Sequence, residues 1–139
     1  MKKILSMLLV LIMVFSLIAC GTPQTGDGNT AITMEDGKTY GEGATELTFE
    51  VVDAEGAKIT ATIKTDKATV GEALEELGLI AGHDTEYGLY IDTVNGTTLS
   101  WETDQMYWGF YINGEYAMTG VDATDIEAGT TYTIQAEKG

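Results

Sequence analysis

Alternating apolar and polar residues dominate this chain and leave little room for helix. Leu47, Phe49 and Val51 alternate with Thr48, Glu50 and Val52, and Ile59, Ala61 and Ile63 alternate with Thr60, Thr62 and Lys64. A period of two is that of a strand with one buried face. Asp53-Ala54-Glu55-Gly56 between the two runs is a turn signal, so together they read as a β-hairpin. Further strands are expected over 89–94, 106–112, 115–118 and 131–136. Asn95-Gly96 and Asn113-Gly114 each follow one of them and favour type I′ turns, because both residue types reach positive φ at low cost.

One segment breaks the pattern. Val70, Ala73, Leu74 and Leu77 follow i, i+3, i+4, i+7 spacing and make one apolar helical stripe, with Glu75 and Glu76 facing water. Thr69-Val70-Gly71-Glu72 fits a capping box at its start, and Gly78 fits a left-handed residue at its end. A helix of about ten residues is too short to be stable alone, so its stripe must pack on a sheet. The order of elements predicts an α+β fold: a β-grasp-like single domain with one short helix on a mixed β-sheet with β-hairpins.

The chain has a single cysteine, Cys20, so no disulfide forms within one chain and the core must hold the fold. Lys2 and Lys3 precede an apolar run from Ile4 to Ile18, and Ala19 sits just before the cysteine. These are the parts of an export signal. The run is shorter than the roughly 20 residues that span a bilayer. Cysteine at the cleavage position resembles the lipobox of bacterial lipoproteins, whose thiol is acylated. The expectation is therefore a signal peptide over 1–19, a lipidated Cys20 heading a Gly- and Thr-rich tether over 20–46, and a folded domain over 47–139. The protein would be exported and anchored on the extracellular face of the membrane.

The remaining inventory argues against most chemistry. With 7 basic and 22 acidic residues, net charge −15, the surface repels phosphate backbones, so no nucleic acid is expected as a partner. Past the signal, one serine (Ser100) and one histidine (His83) remain, and neither sits in a nucleophile elbow. His83 reads as a loop residue between the helix and the next strand. There is no His/Cys cluster for zinc, no phosphate-binding glycine loop and no complete calcium loop, so no metal site and no enzymatic activity are expected.

The densest signal is Met106-Tyr107-Trp108-Gly109-Phe110-Tyr111-Ile112-Asn113-Gly114. Strand alternation puts Trp108, Phe110 and Ile112 on the core face and Tyr107, Gly109 and Tyr111 on the other. A glycine between two tyrosines leaves a flat gap that a planar ligand could approach, or that a crossing side chain could fill. Tyr107, Gly109, Tyr111 and Asn113, with Tyr90 on the preceding strand, are the candidate ligand-binding residues.

Three blocks carry a resemblance: Thr69-Val70-Gly71-Glu72-Ala73-Leu74; Gly88-Leu89-Tyr90-Ile91 leading to Val94-Asn95-Gly96; and Tyr107-Trp108-Gly109-Phe110-Tyr111-Ile112-Asn113-Gly114-Glu115. Residues 47–139 resemble the transcobalamin-like C-terminal domain, DUF4430. The Tyr-Trp-x-Phe-Tyr-x-Asn-Gly block is the more specific part; Thr130 stands where the family often has Asp. The resemblance implies a β-grasp-like fold and a non-catalytic module that binds a small ligand, with cobalamin or another corrinoid as candidate. The alternatives are a surface interaction or adhesion module, or the accessory lipoprotein of a transporter.

Overall fold

The structure, a computed structural model, describes residues 32–139. The signal, Cys20 and the first part of the expected tether lie outside the described residues. The chain forms β1 (Thr39–Gly41), β2 (Thr45–Val52), β3 (Lys58–Thr65), α1 (Val70–Glu76), β4 (Ile80–Thr85), β5 (Gly88–Val94), β6 (Thr97–Thr98), α2 (Trp101–Asp104), β7 (Met106–Ile112), β8 (Glu115–Tyr116) and β9 (Thr131–Lys138), with a 3₁₀ turn at Val121–Ala123. The fold is α+β, mostly β. Its strands split between a mixed six-stranded sheet, β1-β3-β2-β9-β7-β8, and a small antiparallel sheet, β4-β5-β6.

Register follows the sequence alternation. Ala61, Phe49, Tyr132 and Ile112 lie abreast on the inner face of the large sheet, and Ile59, Val51, Ile134 and Phe110 form the next row. A one-residue slip would turn both rows to solvent, so burying them fixes the pairing. Val70 and Leu74 of α1, Leu79, Ile80, Val94 and Val121 join these rows in one core cluster.

The helix begins as expected: the Glu72 N–H donates to Thr69 Oγ1 at 3.3 Å. It ends in a Schellman motif. Gly78, left-handed at φ 69°, lets its N–H reach the Glu75 carbonyl and the Leu79 N–H reach the Leu74 carbonyl. Both Asn-Gly pairs close hairpins, with Asn95 at φ 47° and Asn113 at φ 49°.

Four expectations need correction. Residues 32–46 were expected to belong to a tether, but β1 pairs in parallel with β3 and Met34 is buried, its N–H held by Asn95 Oδ1 at 2.6 Å. Long-range pairing, not local composition, orders that segment. A second helix, α2, exists beside the one expected. Ser100 caps it and Asp104 accepts from the Ser100 N–H at 3.0 Å, but one turn leaves no periodic stripe in the sequence. The strands form two sheets instead of one. His83 lies on strand β4, not in a loop; β4 has only Ile80 buried, so it shows no alternation to read.

Candidate functional site

Strand β7 separates two surfaces. Its inner residues, Trp108 and Phe110, are buried as expected, and Tyr107, Gly109 and Tyr111 point to the outer face of the large sheet. The gap expected above Gly109 is filled. Glu137, opposite Tyr107 on β9, folds its carboxylate over the glycine, where an added Cβ would come within 2.9 Å of it. The Tyr111 hydroxyl donates to Glu137 Oε1. Glu137, accepting a hydrogen bond, also holds the Tyr107 phenol above its usual value, with desolvation a smaller cause. The other two sides of this strip are aromatic: the Trp101 ring lies 6.3 Å from Tyr107, and Tyr116 meets Tyr111 edge-on at 5.4 Å. The absent side chain at Gly109 leaves the space that the Glu137 carboxylate occupies.

Tyr111 and Asn113 border a shallow cleft of about 530 Å³ on this outer face, together with Glu50, Lys58, Thr133 and Gln135. Asn113 has a structural task as well, since its Oδ1 accepts from the Thr131 N–H at 3.1 Å and ties the β7–β8 turn to β9.

Tyr90 lies elsewhere. It borders a groove of about 260 Å³ where the two sheets diverge, lined by Leu89, Ile91, Trp108, Phe110, Tyr116 and Met118. The Trp108 Nε1–H donates to the Asp92 carbonyl at 3.1 Å and pins the small sheet to the large one at this place. Met118 is 95% exposed and Tyr116 58% exposed, so the rim presents apolar surface to solvent. Beside the groove, Tyr90 packs against His83, whose Nδ1 is 2.7 Å from Asp92 Oδ2. The structure thus gathers four of the five candidate residues on the outer face and places Tyr90 on the other surface. Met118 and Tyr116 were missed because their exposure follows from the tertiary fold. Trp101 and Glu137 were missed because only the tertiary fold brings them to β7.

Acidic side chains crowd the end of α1. Burial raises the Glu75 carboxyl above its ordinary value, and the charges of Asp84, Asp122 and Glu72 add to the shift. Among the described residues no three His, Cys, Asp or Glu side chains come together in a group able to hold a metal ion.

The family profile described as a domain of unknown function, DUF4430, matches residues 67–138, just over half of the chain. Among solved structures, the chain is similar to a protein from Ruminococcus gnavus ATCC 29149 proposed to bind metal, with 28% identity and a TM-score of 0.66 over 69% of this chain and 99% of that one. It is also similar to haptocorrin, solved in complex with Cbi, with 17% identity and a TM-score of 0.51 over 68% of this chain and 25% of that one. The second likeness concerns the fold alone, and this chain spans a quarter of haptocorrin. No curated protein matches the sequence.

Proposed function

The chain belongs to the DUF4430 family, and from that premise we propose that it is a non-catalytic ligand-binding module held outside the cell by a lipid on Cys20. Its ligand is a small molecule with a broad apolar face, and a corrinoid such as cobalamin is the candidate. Support comes from the solved neighbours, one proposed to bind metal and one crystallised with Cbi, neither of which is described as an enzyme.

The observation that carries the reading is the groove between the sheets, with Trp108 at its floor and Tyr90, Tyr116 and Met118 along its rim. Small-ligand sites are mostly apolar with a few polar groups. At about 260 Å³ the groove falls below the roughly 300–1,000 Å³ that encloses a drug-sized ligand, so it serves as one wall against a large flat molecule. Tyr107, Gly109, Tyr111 and Asn113 stand on the opposite face, where Tyr111 meets the rim residue Tyr116 edge-on.

Titration of the purified protein with cobalamin and cobinamide, followed by calorimetry, tests this. Saturable binding that Met118→Glu weakens is expected. No saturation up to millimolar ligand would remove the corrinoid. A second reading, a protein-interaction surface or a transporter accessory, rests on the near-complete exposure of Met118. Site-specific crosslinking from position 118 in intact cells would reveal such a partner.

A further inference from the structure

Among the described residues, no second sheet covers the outer face of the six-stranded sheet, and Trp101 of α2 reaches its edge. Helix α1, the small sheet and the 3₁₀ turn all contribute to the core on the inner side. Register sets what the outer face displays. Thr60, Glu50, Thr133, Tyr111 and Tyr116 form one row across five strands, and Lys58, Val52, Gln135 and Gly109 form the next. With strands about 4.8 Å apart, the first row is roughly 19 Å long.

The chemistry of this face is specific in two respects. Its floor is built from hydroxyl and amide groups, each able to donate and accept. The cleft's one ammonium, Lys58, is already paired with Glu50 at 2.9 Å. Along one side runs an aromatic strip: Trp101 against Tyr107, then the Glu137 carboxylate over Gly109, then Tyr111 with Tyr116. Trp101 and Tyr116 are each more than half exposed, although such large apolar rings are ordinarily buried.

We propose that this outer face is a glycan-binding platform for an uncharged polysaccharide chain, with Trp101, Tyr111 and Tyr116 as stacking groups and Glu137, Thr133 and Gln135 as hydrogen-bond partners. Sugar rings present apolar C–H faces and polar rims. The first suit an aromatic ring, and the second suit a floor of mixed donors and acceptors with a carboxylate at its edge. The cleft is shallow, with a volume of about 530 Å³, and offers a polymer an open surface instead of an enclosed cavity. Charge selects among polymers: the cleft's one cation is paired with Glu50, and the chain has a net charge of −15, so polyanionic glycans are repelled. This surface meets the groove assigned to the small ligand at Tyr116, and the cleft and the groove have no lining residue in common.

Calorimetric titration of the protein with maltohexaose, cellohexaose and chitohexaose tests the proposal. At least one is expected to bind saturably. Trp101→Ala, at an exposed position outside the groove, should weaken that binding at least about tenfold, the loss expected when a stacking anchor is truncated. Gln135→Ala should weaken it less, and Met118→Glu in the groove should leave it unchanged. Failure of all three sugars to bind at millimolar concentration overturns the proposal. So does binding that survives both Trp101→Ala and Gln135→Ala, or that is lost in Met118→Glu. Circular dichroism of each variant establishes that a loss is not unfolding.

Discussion

The two sheets of this protein are held together by different means. In the large sheet, β2 and β9 bury every second side chain, and Leu47, Phe49, Val51, Tyr132 and Ile134 lie deep in the core. In the small sheet, β4 buries only Ile80 and β5 only Val94, with Leu89 and Ile91 half-buried against the core. Its strands are kept in place by local bonds instead, the Thr93–Thr98 hydroxyl pair at 2.7 Å, the His83–Asp92 pair and the Asn95-Gly96 turn, and the Trp108 indole bond to Asp92 ties them to the large sheet. Burial makes the large sheet a cooperative unit. A sheet with few buried apolar contacts is the part that opens locally below the global unfolding energy. The groove lies on that boundary, so its width is set by the weaker partner.

The comparison can be broken most severely in the large sheet. Phe49 is fully buried, and Phe49→Ala should cost about 3–5 kcal/mol of global stability in denaturant titration. A cost below about 1 kcal/mol would mean that the inner rows are not tightly packed. In the small sheet, β4 shifts register between Ala81 and Gly82, and a Cβ at Gly82 would overlap the Tyr90 carbonyl. Gly82→Ala should therefore cost about 1–3 kcal/mol. Hydrogen exchange should show the loss in β4 and β5 before it shows in β2 and β9.

Asn95 joins the two regions, because its side chain holds the Met34 N–H while its backbone makes the β5–β6 turn. Asn95→Ala should cost about 1–2 kcal/mol, through one unpaired amide and strain at positive φ. A purely local effect on β5 and β6 would show that the 32–34 segment does not depend on this bond. The smallest expected effect is at Glu75. Its pKa is raised above the ordinary value of 4.5, so the folded state binds the proton more tightly than the unfolded one. Stability is then lost as pH rises through the window above 4.5. Glu75→Gln should raise the thermal midpoint slightly at pH 7 and have no effect well below pH 4.5; an equal effect at both would trace it to helix propensity.

Legibility followed the same division. Where a strand buries one face, the period of two is strong, and β2, β3, β7 and β9 were readable with their faces. The cap at Thr69, the stop at Gly78 and both Asn-Gly turns were readable because their chemistry is local. Strand β4 was not, since pairing with β5 makes it a strand and almost no burial marks it. The candidate site was readable in its residues but not in its grouping. Alternation set Tyr107, Gly109 and Tyr111 on one face; it could not show that Glu137, many residues later, would close the gap between them. It also could not show that Tyr90 would end on a different surface.

By itself the sequence determined the strand faces, the turns, the single long apolar helix stripe and the acidic balance, because each depends on neighbours within a few residues. Only the tertiary structure decided that residues 39–41 become a strand, that the strands divide into two sheets, and that the aromatic strand has one side against a groove and the other beside an open polar face. Those outcomes depend on register between segments far apart in the chain, and register is fixed by the joint burial of Phe49, Tyr132, Ile134 and Phe110, which no single segment specifies.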